Sequence, residues 1–123
     1  MVSEQIAGFL NFARDAGQKY SMACQDEEQA NLETQDILHS LELCAHPYHR
    51  KAKIAAKLGD VRQRRRIAKN AMNIYGPIVD WVEENKTVIK SLERLLGDVR
   101  KAENIQKNRC YVNRTSILDD SDN

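Results

Sequence analysis

The sequence has few of the residues that interrupt helices. Its 123 residues include two prolines and five glycines, and aromatic residues make up 6%. Charged residues make up 30%, a balance that is typical of long solvated helices rather than of sheets. We therefore expect one domain with one core, which in a compact fold would bury roughly two thirds of the unfolded surface.

Signals for membranes and secretion are also missing. There is no run of 18 apolar residues, and the N-terminus lacks the charged and apolar regions of a signal peptide. The three cysteines, Cys24, Cys44 and Cys110, form an odd set without paired spacing, which favours free thiols in a reducing compartment. These absences predict a cytoplasmic protein that has no contact with a membrane.

Catalytic signatures are equally scarce. The sequence has neither a glycine-rich phosphate loop nor a nucleophile elbow, and no Glu-x-x-His pair repeats as it would in a di-iron bundle. His39 lies one residue off the apolar face of its helix and has no obvious catalytic partner. The sequence therefore predicts a protein that is not an enzyme and carries no cofactor.

The apolar pattern that is present predicts three helices. The first spans about 3–44, where one seven-residue series is apolar at every step, and the second spans about 47–75, from Pro47 to a stop at Gly76-Pro77. The third, about 77–104, is the most hydrophobic segment and is expected to anchor the core. The first series is Phe9, Ala16, Ala23, Ala30, Ile37 and Cys44, and the second helix carries Ile54, Leu58, Val61, Arg65, Ala68, Met72 and Tyr75.

This order of helices predicts an all-α fold, in which an antiparallel coiled-coil hairpin and a third helix form an elongated three-helix bundle. Residues 1–104 form the helical domain, and 105–123 form an extended, partly disordered tail. A fold-back at 45–46 would place residue i of the first helix opposite residue 91 − i of the second. Since that pairing leaves residues 3–16 uncovered, either the third helix or a second copy in a homodimer must cover Ile6, Phe9 and Phe12.

Charge is unevenly distributed along the chain, although the net charge is only +1. Residues 1–49 contain two basic and eight acidic residues, a net charge of −6, whereas 50–75 contain nine basic and one acidic, a net charge of +8. The hairpin would lay these segments side by side. Glu27 and Arg65 each interrupt an apolar stripe, so we expect them to form a structural ion pair that fixes the register.

The surplus of cations on the second helix predicts a surface for a partner. The residues expected to contact it are Arg62, Arg64, Arg66 and Lys69 of the second helix and Tyr111 and Arg114 of the tail. There are two alternative interpretations of these cations. They are either solvated or paired within the molecule, or they bind DNA or RNA. Against nucleic acid, the sequence pI is only about 7.7 and no aromatic residues alternate with the arginines.

A zinc site is an alternative for the turn between the first two helices. Cys44, His46 and His49 are three ligands of the kind that zinc prefers, and Cys110 would join them if the third helix ran back along the second. Their spacing does not match an established zinc finger, so the sequence predicts no metal.

The chain resembles a group of short helical accessory proteins from phages and prophages of Gram-positive bacteria. The resemblance covers most of residues 30–118. It depends on Asp36-Ile37-Leu38-His39, on the series Lys57, Arg62, Arg65-Arg66 and Lys69, and on Tyr111-x-x-Arg114, although Asn113 stands where that group usually has proline.

The resemblance implies a non-enzymatic protein that inhibits or modulates a host protein in the bacterial cytosol. One version is an anti-CRISPR-like inhibitor that obstructs an effector nuclease. The alternatives are a nucleic-acid-binding accessory protein that uses the arginine-rich second helix, and a structural or replication-complex component of a phage.

Overall fold

The computed structural model describes residues 1–118, which form three helices. Helix α1 is Val2–Leu43, α2 is Tyr48–Glu84 and α3 is Lys86–Lys107. Helices α1 and α2 pack side by side as an antiparallel hairpin, and α3 adds a third helix at one end. The predicted all-α architecture, an elongated hairpin bundle with a third helix, is thus confirmed.

The core lies between α1 and α2 and is built mainly from small side chains. Its residues are Ala13, Ala16, Ala23, Ala30, Ile54, Val61 and Ala68. Both predicted stripes are used, because every member of the second stripe is buried or half-buried and the alanines of the first are at most 5% exposed. Alanine lets two helix backbones approach closely, so the hairpin has a narrow seam.

The register of the hairpin differs from the predicted one. Glu27 lies beside Lys69 and Asn31 beside Arg65, so residue i faces residue 96 − i, and the predicted 91 − i is wrong. The cause is the connection 44–47, where Cys44 and Pro47 have extended ψ angles of 140° and 157°. An extended residue advances about 3.3 Å whereas a helical residue advances about 1.5 Å, so α2 begins beyond the end of α1.

The predicted helix stop at Gly76-Pro77 is also wrong, because α2 contains Pro77 and continues to Glu84. An interior proline costs a helix about 3 kcal/mol, since it lacks the N–H group of an ordinary residue. Tyr75 and Ile78, on either side of it, are half-buried, and Trp81 contacts the ring of Phe9 on α1. Packing on both sides of the proline therefore keeps α2 continuous.

Helix α3 follows α2 after the single residue Asn85 and runs along the N-terminal part of α1. The backbone N–H of Ser3 donates a hydrogen bond to Glu103 Oε2 at 3.4 Å, and Leu10 and Leu96 line one groove. Of the two alternatives for covering this end of α1, α3 is the element that packs there, but it leaves Phe9 and Phe12 42% and 52% exposed. None of the residues of α3 is buried, so the expectation that it anchors the core is wrong, as are its predicted bounds 77–104.

Residues 108–118, the described part of the tail, form neither helix nor strand and are exposed. The acidic end of the tail, 119–123, lies outside the described residues. The partial disorder of the tail stays a prediction.

The surface of the molecule is large for its mass. It measures 9967 Å², whereas a compact monomer of 14.1 kDa would have about 6,700 Å². The chain therefore buries about half of its unfolded surface rather than the expected two thirds. None of the helices in residues 1–118 combines the length and the apolar character that crossing a bilayer requires.

Candidate partner-binding surfaces

The predicted ion pair between Glu27 and Arg65 does not form. Arg65 Nε donates a hydrogen bond to Asn31 Oδ1 at 2.8 Å, and Glu27 Oε1 lies 4.0 Å from Lys69 Nζ. The shift of the register from 91 − i to 96 − i gives Glu27 a different partner. Asn31 and Arg65 are both half-buried. Arg65 therefore interrupts the apolar stripe of α2 as expected, but its partner on α1 is an asparagine that lies outside the predicted apolar series.

Two of the residues predicted to bind a partner are engaged within the hairpin. Arg64 forms an ion pair with Glu33 across the two helices, and Lys69 is the half-buried cation beside Glu27. The negative segment of α1 therefore lies alongside the positive segment of α2, as predicted. It neutralises only part of that segment.

Arg62 and Arg66 are the two members of the predicted set on α2 that remain unpaired. Both are exposed, and within residues 1–118 neither has a carboxylate within 4.0 Å. Together with Lys69 they are spaced by four and three residues, which places them on one face of α2. We call Arg62, Arg66 and Lys69 the basic flank.

The tail residues are not brought to the basic flank. Tyr111 is 73% exposed and Arg114 is exposed, but α3 ends near Ser3. The basic flank lies opposite residues 27–34 of α1 in the observed register. The start of the tail and the basic flank are thus separated by about 40 Å along α1. They form two surfaces rather than one.

The potential zinc ligands are likewise separated. Cys44 and His49 are exposed at the turn between α1 and α2, where His46 Nε2 and Ser40 Oγ share a hydrogen bond of 3.0 Å. Cys110 follows α3 at the other end of the molecule, because α3 does not run back along α2. Residues 1–118 contain no group of three or more His, Cys, Asp or Glu side chains that could hold a metal ion.

A second apolar stripe on α2 is the feature that sequence reasoning missed. Ile67, Ile74 and Trp81 follow one another at intervals of seven residues and are 69%, 65% and 42% exposed. Trp81 lies in the segment that was expected to anchor the core, but it is partly exposed and its ring meets Phe9 edge to face, with 6.2 Å between the ring centroids. The seven-residue spacing was visible in the sequence, and only the hairpin geometry shows that α1 leaves Ile67 and Ile74 uncovered.

An apolar groove lies beside this stripe. It has a volume of about 310 Å³ and is lined by Phe9, Phe12, Ala13, Pro77, Ile78, Trp81 and Val82. Phe12 is 52% exposed, so large aromatic surface remains open to solvent. The groove and the stripe together form an exposed apolar region of the kind that marks interaction surfaces.

No family model, curated protein or solved structure matches the chain. The candidate surfaces therefore have to be interpreted from their own geometry and charge.

Proposed function

We propose that the chain is a non-enzymatic protein-binding module whose basic flank docks on an acidic surface of a partner protein. The observation that supports the proposal is that Arg62 and Arg66 are exposed and have no ion-pair partner within residues 1–118, whereas α1 holds the neighbouring Arg64 and Arg65. Two guanidinium groups on a rigid helix are pre-organised for carboxylates, since arginine presents a planar fork of donors.

The resemblance to phage accessory proteins suggests what kind of partner this surface binds. The partner is a host protein in the bacterial cytosol, and the chain inhibits or modulates it by occupying its surface. A CRISPR effector nuclease is one specific version, in which the occupied surface lies at the nucleic-acid channel or guide-binding region.

The test is a comparative pull-down from the lysate of a Gram-positive bacterium. The wild-type protein is compared with Arg62→Glu/Arg66→Glu, and Lys90→Glu/Arg94→Glu is the matched control. Lys90 and Arg94 are also exposed, are also four residues apart, and lie on α3. The proposal expects a protein that the wild type and the control retain and that the Arg62/Arg66 variant loses at least about tenfold. Equal retention by all three, or equal loss from both variants, would contradict it.

Nucleic-acid binding is the second candidate, and one observation favours it. Nine basic residues lie between 50 and 75, but only Arg64 and Lys69 of these form ion pairs within the described residues. The remaining cations could neutralise phosphates.

A salt titration separates the two candidates. If the basic flank binds phosphates, random duplex or single-stranded DNA binds tightly at low salt, and log affinity falls steeply with log salt concentration, by about 0.9 per neutralised phosphate of duplex. The protein-binding proposal expects no such tight binding at about 150 mM salt. Tight binding that Arg62→Glu/Arg66→Glu abolishes would favour the second candidate.

A further inference from the structure

We propose that the second apolar stripe of α2 is a self-association surface, on which a second copy of this chain packs with its own α2 antiparallel. The stripe consists of Ile67, Ala71, Ile74, Ile78 and Trp81, with the alternating intervals of four and three residues that a coiled-coil seam requires. This inference does not rest on the proposed function, because it concerns a different face of α2.

The fold of the single chain uses only the C-terminal end of this stripe, where Ile78 is half-buried and Trp81 contacts Phe9 of α1. The residues that α2 buries in the hairpin are Ile54, Val61 and Ala68, which form a separate series at seven-residue intervals. A helix with one apolar stripe needs one neighbour, and α2 has two stripes. α1 covers the first, whereas Ile67 and Ile74 remain 69% and 65% exposed.

Exposed apolar side chains are not confined to the stripe. Phe12, Trp81 and Met22, which are 52%, 42% and 62% exposed, supply apolar area at the end of the stripe and on the adjacent helix.

The distribution of charge along α2 selects a second copy in the antiparallel direction. Residues 64–69 contain Arg64, Arg65, Arg66 and Lys69 and no acidic residue, whereas 80–84 contain Asp80, Glu83 and Glu84 and no basic residue. In a parallel pair, like charges would lie opposite each other. With Ile74 on the two-fold axis of an antiparallel pair, residue i faces residue 148 − i, so residues 64–69 of each copy lie opposite residues 79–84 of the other. Such an interface is isologous and closes as a dimer.

The straight part of the stripe ends at Trp81. The seven-residue series continues in α3 as Val88 and Leu95, which are 44% and 46% exposed. Asn85, with φ −121° and ψ 37°, ends α2 between Trp81 and Val88. The interface is therefore centred on Ile74 within the continuous helix.

Sedimentation equilibrium of the 123-residue chain tests the existence of the dimer. The wild type is expected to sediment at twice 14.1 kDa at concentrations of tens of micromolar, and Ile74→Glu at the monomer mass. Ile74 pairs with itself across the axis, so this variant buries two like charges, which is strongly unfavourable. Leu32→Glu is the matched control, because Leu32 is 52% exposed and lies on α1 outside the stripe.

The result that overturns the inference is a monomeric wild type, or a dimer that Ile74→Glu leaves intact. Circular dichroism shows whether Ile74→Glu keeps the helix content of the wild type. If Ile74→Glu loses helicity, Ile74→Asn and Ile67→Asn replace it as milder variants, and the same change in mass is expected of both.

Mixed disulfide formation tests the direction of packing. Cys24, Cys44 and Cys110 are first replaced by alanine, and Ile67→Cys and Trp81→Cys are then introduced into separate copies. Antiparallel packing about Ile74 predicts a disulfide between the two kinds of copy when they are mixed, and none from either kind alone. Cross-linking of Ile67→Cys copies to each other would indicate a parallel pair and would contradict the proposed geometry.

Discussion

At the scale of the residue, Asn31 determines how the hairpin holds Arg65. The Arg65 side chain points into a half-buried seam, where an unpaired guanidinium would be costly. Asn31 accepts its hydrogen bond at 2.8 Å. A carboxylate was expected at this point because charge complements charge, but an amide oxygen also accepts a hydrogen bond and carries a smaller desolvation penalty.

A double-mutant cycle tests this pair. Asn31→Ala and Arg65→Ala are expected to show a coupling energy of about 1 kcal/mol in urea unfolding, the usual value for one intramolecular hydrogen bond. The cycle of Glu27→Ala with Arg65→Ala is the control and should be additive. Coupling of Arg65 to Glu27 instead of Asn31 would restore the register predicted from the sequence.

Glu103 is a second residue with a specific structural role, because its hydrogen bond with Ser3 links α3 to the start of α1. The pKa of the Glu103 carboxyl lies below its usual range because Ser3 donates hydrogen bonds to it, mainly from its side chain and to a smaller extent from its backbone N–H. A carboxyl with a lower pKa in the folded state stabilises the fold while it is ionised. That contribution is present above the unfolded-state pKa and is lost as the pH falls through the folded-state pKa.

The stability of Glu103→Gln should accordingly depend less on pH than that of the wild type. On lowering the pH from about 7 to about 3, the wild type is expected to lose stability that the variant does not lose, as measured by urea unfolding. Asp98→Asn, which removes an exposed carboxylate from the same helix, is the control and should keep the pH dependence of the wild type. Identical pH profiles for the wild type and Glu103→Gln would show that the contact with Ser3 does not contribute.

At the scale of the element, local sequence signals predicted three helices and the end of α1, but not where α2 ends and α3 begins. Pro47 lies just outside α2 as its N-cap residue, which agrees with the preference of proline for helix starts. Gly76-Pro77 carries an equally strong stop signal and lies inside the same helix. The difference comes from tertiary packing, because the residues around Pro77 contact α1 and such long-range contacts leave no mark in the local sequence.

Gly76 is expected to gain less from alanine than an ordinary glycine inside a helix. A Cβ atom at this position would lie 3.6 Å from Tyr20 Cε2, which is an ordinary van der Waals contact. However, a Cβ on the residue before proline also crowds the proline Cδ atom in the helical conformation, and Pro77 follows Gly76. Gly59→Ala, where a Cβ would meet nothing within 4 Å, should stabilise the fold by about 0.5–1 kcal/mol in urea unfolding, and Gly76→Ala should gain less. An equal or larger gain from Gly76→Ala would contradict this expectation.

The alanine seam between α1 and α2 makes the opposite prediction for larger side chains. Ala30 is 0% exposed, so Ala30→Leu has to push the helices apart and should cost about 1–3 kcal/mol. Ala55→Leu is the control, because Ala55 is exposed on α2 and its replacement should stay within about 0.5 kcal/mol. Thermal or urea unfolding of the two variants measures the difference. Equal stabilities would show that the seam is wider than the structure indicates.

At the scale of the whole molecule, the seven-residue repeats were sufficient to predict an elongated helical hairpin. They were not sufficient to predict which basic side chains form ion pairs. The ion pairs depend on the register of the hairpin, and the register depends on the extended backbone of residues 44–47. A shift of five residues exchanges the partners of Glu27 and Arg65 and leaves Arg62 and Arg66 without an ion-pair partner in the described part of the chain. The course of α3, which runs along α1 instead of back along α2, separates Cys110 from Cys44.

The register is thus the central claim, and distances between spin labels test it most directly. In a background without native cysteines, one label is placed at Glu28 and the second in turn at Arg62, Arg66, Asn70 or Asn73. The observed register predicts the shortest distances for Arg66 and Asn70, on either side of residue 68, with longer ones for Arg62 and Asn73. A minimum at Arg62 would indicate the register 91 − i, and distances above about 50 Å to every site would contradict the hairpin itself.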